Sequence, residues 1–116
     1  MKDRFVSSLV VSDLNSDGYK EISVGLRNGW MHVFSHDGRL LWQKRFDSGI
    51  KSLAEVSKGN GKLVAGLSNG YVFLMDSKGI IIQTAKMDTS VEKIIQVDSN
   101  IIVGTQGGII AGFEIK

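Results

Sequence analysis

Glu21-Ile-Ser-Val-Gly25-Leu-Arg-Asn28-Gly29-Trp30 is written again, with changes, as Lys62-Leu-Val-Ala-Gly66-Leu-Ser-Asn69-Gly70-Tyr71, and a third time as Ile101-Ile-Val-Gly104-Thr-Gln-Gly107-Gly108-Ile109. Each copy is an apolar strand, a glycine, a tight turn and a second apolar strand. Gly25 and Gly66 lie 41 residues apart and Gly66 and Gly104 lie 38 apart. Self-similarity at this period marks stacked supersecondary units. Arrays of such units commonly serve as scaffolds or binding surfaces.

The repeat extends outward from these copies. Arg4-Phe5 returns as Arg45-Phe46 and, loosely, as Lys86-Met87, and the next strand begins at Leu9, Ile50 and Val91. Asp37-Gly38 returns as Lys78-Gly79. Runs such as Trp30-Met-His-Val-Phe34 and Tyr71-Val-Phe-Leu-Met75 are rich in branched and aromatic side chains and bounded by Gly, Asn, Asp or Ser, which is strand chemistry. Asn28-Gly29, Asn69-Gly70 and Gly107-Gly108 supply the positive φ that two-residue hairpin turns need. Each unit is therefore a four-stranded antiparallel meander.

Strands apolar at consecutive positions suit a sheet covered on both faces. All-β blades of a β-propeller meet that condition at this repeat length. Sandwiches and barrels also place hairpins every ten or so residues. They do not require the same glycine, turn and aromatic in register, so the propeller is preferred. Gly25, Gly66 and Gly104 are expected where adjacent backbones pack closely.

The phase of the repeat divides residues 1–116 into a terminal strand over 1–6 completing a neighbouring blade, a first blade over 7–47, a second over 48–88, and a three-stranded third over 89–116. Propellers typically have four to eight blades, so three need company. Two copies would make a six-bladed ring, a homodimer with a self-complementary interface in which each terminal strand completes the partner's third blade. The rival reading is an excerpt of a longer propeller.

Composition narrows the function classes. The chain carries 14 Lys+Arg against 12 Asp+Glu, with no basic block and no alternation of aromatics with cations, so no nucleic-acid partner is expected. Cysteine is absent, which removes disulfides, thiol catalysis and cysteine-based zinc sites. No window approaches the roughly 18 apolar residues of a membrane span. None of this assigns a compartment.

One stretch carries site chemistry: Asp13-Leu-Asn15-Ser-Asp17-Gly18-Tyr19-Lys-Glu21. Oxygen side chains at loop positions 1, 3 and 5, a glycine at 6, a backbone carbonyl at 7 and a carboxylate at 9 can surround one hard cation, with Ca²⁺ its natural occupant. An EF-hand would need Glu at position 12, where Val24 stands. The loop instead resembles the FG-GAP repeats of integrin-like propellers, whose motif Asp-x-Asp/Asn-x-Asp-Gly-x-x-Asp/Glu leads into a strand ending in Val-Gly, as Ile22-Ser-Val24-Gly25 does. That resemblance implies side-chain ligation by Asp13, Asn15, Asp17 and Glu21 and carbonyl ligation by Tyr19, in a structural role. The bland alternative is an Asx-type turn with solvated carboxylates.

The other two blades lack the loop. Aligned from Gly66, the second offers Ala54, Val56, Lys58 and Lys62, and the third shortens to Asp98-Ser-Asn100. They are more similar to quinoprotein-type propeller repeats, where a strand such as Gly38-Arg-Leu-Leu-Trp42 ends in a docking tryptophan, though Gln83 takes that place in the second blade. His32 and His36 are the only histidines and no nucleophile elbow surrounds any serine, so no catalytic residue is assigned. Arg27, Asn28, Trp30, Ser68, Asn69, Tyr71 and Gln106 lie at or beside the repeated turns. They form the candidate binding surface, for a protein or carbohydrate ligand, at a mouth of the ring. The leading function is a non-enzymatic scaffold; the alternative is part of a propeller enzyme, quinoprotein-like or sugar-active, with its catalytic groups in other blades.

Overall fold

The computed structural model describes residues 5–14, 17–56, 61–97, 100–108 and 110–114, and everything regular in them is β-strand. The first sheet runs β1 (Val6–Ser12), β2 (Glu21–Leu26), β3 (Trp30–Phe34) and β4 (Leu40–Arg45). The second runs β5 (Ile50–Val56), β6 (Lys62–Leu67), β7 (Tyr71–Met75) and β8 (Ile81–Lys86). The third holds β9 (Val91–Val97), β10 (Asn100–Thr105) and β11 (Ile110–Glu114). Within every sheet, spatial order follows chain order and all pairs are antiparallel. The first strands gather together, β1 beside β5 and β5 beside β9. The result is a fan of propeller blades in a slab 39 × 38 × 18 Å. Its thickness is close to the length of one five- or six-residue strand at about 3.3 Å per residue.

The middle sheet shows why its strands are apolar at consecutive positions. Leu63, Ala65, Leu67 and Met75 pack with Met31, Val33, Phe46, Ile50 and Leu53 on the side of the first sheet. Val64, Val72 and Leu74 pack with Val91, Ile94, Ile101 and Val103 on the side of the third. No residue of β6 from Leu63 to Leu67 is exposed on either face.

The turns differ in detail from the two-residue hairpins expected. Three residues, 27–29, separate β2 from β3, and 68–70 separate β6 from β7. The Gly29 N–H donates to the Leu26 carbonyl (3.1 Å) and that of Gly70 to Leu67 (3.1 Å), with φ of 97° and 94° at the two glycines. This is a β-turn followed by one left-handed residue, a geometry that favours glycine at its third place.

The phase of the first strand also needs correcting. The Phe5 carbonyl accepts the Arg27 N–H (3.0 Å), that of Gly49 accepts Ser68 (2.8 Å), and that of Ser90 accepts Gln106 (2.8 Å). Phe5 is thus the counterpart of Gly49 and Ser90, and Val6, opposite Leu26, is the counterpart of Ile50 opposite Leu67 and Val91 opposite Thr105. Matching Leu9 with Ile50, and Phe5 with Phe46, is three residues out. The cause is the link between first and second strands, which is eight, five and two residues long in successive sheets. Val6, read at the end of a separate terminal strand over 1–6, opens β1, with Phe5 just before it; residues 1–4 lie outside the described residues.

The repeated glycines do not meet neighbouring backbones. A Cβ on Gly25 would lie 2.7 Å from Ile50 Cγ2 and 3.3 Å from Leu53 Cδ1. One on Gly66 would collide with Val91 Cγ1 and lie 2.8 Å from Ile94 Cδ1. Each glycine is a hollow for two branched side chains of the next sheet's first strand. Gly104 departs from the rule, with nothing among the described residues within 4 Å of a Cβ there.

Candidate functional site

The acidic loop joins β1 to β2 at the edge of the seam between the first two sheets. Leu14, 3% exposed, drops into the hydrophobic cluster and anchors the loop. Glu21 opens β2 opposite Ser12 and is buried at 2% exposure. Its Oε1 accepts the Leu14 N–H at 2.8 Å, so the strand end and the loop hold each other. Asp13 accepts the N–H of Asp17 on Oδ1 (3.1 Å) and that of Gly18 on Oδ2 (2.9 Å), while Asp17 Oδ1 accepts the Tyr19 N–H (2.9 Å). Gly18, at φ 89°, takes the left-handed turn that doubles the chain back.

These bonds bring one carboxylate oxygen each from Asp13, Asp17 and Glu21 within 4.8 Å of one another. Three negative groups at this separation repel unless a cation lies among them. Among the described residues no Lys or Arg pairs with them; the ion pair present is Lys51–Glu92 at 3.6 Å, between the inner strands. Ser12, across the strand pair from Glu21 on the same buried face, has its Oγ buried with no hydrogen-bond partner among the described residues. An oxygen-rich, cation-deficient, partly buried set of this kind fits a hard divalent ion. Asn15 lies outside the described residues. The Tyr19 ring leaves the loop and stacks on His36 at 4.4 Å.

On the opposite edge, the turns and links form a continuous rim. A Cβ on Gly49 would run into the Arg27 carbonyl, and the Gly49 carbonyl accepts the Ser68 N–H. The hydroxyls of Ser48 and Ser68 are hydrogen-bonded, and the Gly107 N–H donates to Thr89 Oγ1 at 3.0 Å. Arg27, Ser68, Asn69 and Gln106 are exposed on this rim. Asn28 and Asn69 turn their side-chain oxygens inward to accept the Trp30 (3.1 Å) and Tyr71 (3.2 Å) N–H groups. Trp30 and Tyr71 sit on sheet faces: Trp30 stacks on His32 (5.9 Å) and Tyr71 on Phe73 (5.5 Å), which in turn stacks on Phe46 (5.3 Å).

Two features were not read from the sequence. A groove of about 450 Å³ lies between the first two sheets, with Phe46, Tyr71 and Phe73 on its walls and Lys44, Arg45 and Asp47 around it. The recurrence of an aromatic at 71 and 73 beside Phe46 was its available signal. Leu14 is the other; an apolar side chain inside an otherwise polar loop marks an anchor.

No family model and no curated protein sequence matches this chain. Solved structures do. The chain is similar to Sqt1 of Saccharomyces cerevisiae at 19% identity and TM-score 0.87, over 96% of this chain and 33% of that one. It is similar to BBS1N, solved in complex with ARL6DN, at 16% identity and TM-score 0.79, over 97% of this chain and 35% of that one. It is also similar to BamB of Moraxella catarrhalis at 17% identity and TM-score 0.70, over 90% of this chain and 30% of that one. These are WD40 and related β-propeller proteins, and the fold of this chain is that of propeller blades. The chain spans about a third of the length of these neighbours.

Proposed function

We propose that this chain is a non-enzymatic propeller scaffold, stiffened by one structural Ca²⁺ in its first blade, that completes a ring with a second copy and presents its turn rim to a protein or carbohydrate ligand. The observation that carries the metal assignment is the convergence of Asp13, Asp17 and Glu21 within 4.8 Å with no cationic side chain among the described residues paired to them. The resemblance to the FG-GAP loop adds Asn15 and the Tyr19 carbonyl to the ligand set. The ion would fix the longest link in the chain to the first two strands; no nucleophile or general base accompanies it. A scaffold role agrees with the company the fold keeps, since BBS1N was solved bound to ARL6DN.

Calorimetric titration tests the metal. Ca²⁺ should bind the wild type at one site and bind Asp17→Asn at least tenfold more weakly; a wild type that gives no heat would remove the ion from the account. The one-third span of the neighbours favours a second reading in one respect, that these blades belong to a longer propeller; the enzymatic form of that reading, quinoprotein-like or sugar-active, would place its catalytic groups in other blades. Binding of a quinone cofactor, or turnover of a bound glycan, would favour the enzyme; glycan binding without turnover fits the scaffold.

A further inference from the structure

The seam between blades is built twice inside this chain by one rule, and both halves of a third such seam lie bare. In the first seam Ile50 and Leu53 fill the hollow at Gly25; in the second Val91 and Ile94 fill the hollow at Gly66. These four side chains are 0%, 6%, 0% and 5% exposed. By strand register, Val6 and Leu9 hold the same two positions in β1, opposite Leu26 and Val24, yet they are 58% and 56% exposed. Gly104 holds the position of Gly25 and Gly66 in β10, and none of the described residues fills its hollow. Its φ lies outside the left-handed region, so the backbone does not require glycine there. At Gly25 and Gly66 the missing side chain is accounted for by a branched pair from the next sheet.

The surroundings repeat the pattern. Ile95 pairs with Ile102 on the same face of the third sheet as Gly104, and Ile95 is 51% exposed. The corresponding pair in the second sheet, Ala54 and Val64, is covered by the third sheet. On the first sheet, Val11 stands 49% exposed beside Leu9, across from Ile22. Both ends of the fan are therefore apolar, one carrying knobs and the other a hollow of the shape that those knobs fill elsewhere in the chain.

We propose that the occupant is a second copy of this chain, with Val6 and Leu9 of each copy seated on Gly104 of the other. The assignment rests on the two-copy ring described above and specifies its seam. The two identical seams of a closed pair are related by a twofold axis. The seam requires no exchange of a strand, because all its parts belong to sheets already formed.

The test is the mass of the chain in solution at micromolar concentration, expected at twice 12.7 kDa. Leu9→Arg places an unpaired charge in the seam, and Gly104→Val fills the hollow from the other end. Each should weaken the pair by more than about thirtyfold, as loss of a central contact does. Both positions are open in the single chain, so the circular dichroism of each variant should match the wild type. The chain has no cysteine, and in the two seams present the first-strand Cβ nearest the glycine position is that of Ile50 or Val91, the counterparts of Val6, so the double variant Val6→Cys, Gly104→Cys should oxidise to an interchain disulfide even if one of the other variants folds poorly. A wild-type monomer would overturn both the seam and the ring. A pair that persists in Leu9→Arg and Gly104→Val, with no crosslink at 6 and 104, would overturn the seam and leave the two-copy ring standing. Polymers longer than two copies would overturn the closed pair.

Discussion

Gly66 and Val91 are in such close contact that the smallest side chain at position 66 would overlap the Val91 Cγ1 methyl. Contact at this distance is what joins the second blade to the third. Gly66→Ala should therefore cost about 1–3 kcal/mol in denaturant unfolding, the usual range for overpacking a core. Gly104→Ala, made where a Cβ meets nothing, should stay within about 0.5 kcal/mol in the isolated chain. A Gly66→Ala variant as stable as the wild type would contradict the seam described. Val91→Ala should recover part of the Gly66→Ala loss.

The first seam has a second fastening. The Trp42 Nε1–H donates to the Ser77 carbonyl at 2.9 Å, and its ring covers Gly79. Trp42→Phe keeps most of the packing and removes the bond, so a loss of about 1 kcal/mol is expected. Gly79→Ala should cost more, because a Cβ there meets the Trp42 ring at 2.7 Å and φ is 85°. Denaturant curves of the two variants, compared at equal slope, check both numbers.

Glu21→Gln separates the ion's contribution from that of the loop. The amide still accepts the Leu14 N–H, while one negative charge leaves the cluster with Asp13 and Asp17. Without Ca²⁺ the variant should be as stable as the wild type or more so. With Ca²⁺ it should be less stable, because the wild type gains and it does not. Melting curves with and without chelator show whether the order reverses.

At the next corner, the Ser35 hydroxyl and the Arg39 N–H hold the Asp37 carboxyl below its ordinary value of 3.8. A depressed carboxylate favours the folded state above the unfolded pKa and loses that contribution as pH falls through the folded value. Ser35→Ala should move the Asp37 titration back towards 3.8, as followed by NMR, and an unmoved titration would discharge Ser35 from the role.

How far the sequence could be read depended on what each residue's neighbours were. The hairpins were legible because Asn28-Gly29 and Asn69-Gly70 carry their turn chemistry locally. The sandwiched middle sheet was legible because Leu63 to Leu67 has no polar side to spare. The phase of β1 was not. Val6 to Ser12 alternates nothing that would choose a register, and an eight-residue link hid a three-residue slip behind the 41-residue spacing of Gly25 and Gly66. The clustering of the carboxylates of the acidic loop was visible in their spacing. The Leu14 anchor was not, since it depends on where the second sheet lies, and neither was its bond to Glu21, which depends on how the loop folds back onto β2.

Thermal unfolding of the wild type in chelator and in saturating Ca²⁺ tests the scaffold account most directly. Binding at about a hundredfold above the dissociation constant adds about 2.7 kcal/mol. For a chain of this size the midpoint should rise by about 5 °C or more, and Asp17→Asn should show little of that rise. A wild-type midpoint that does not move between chelator and Ca²⁺ would contradict the account.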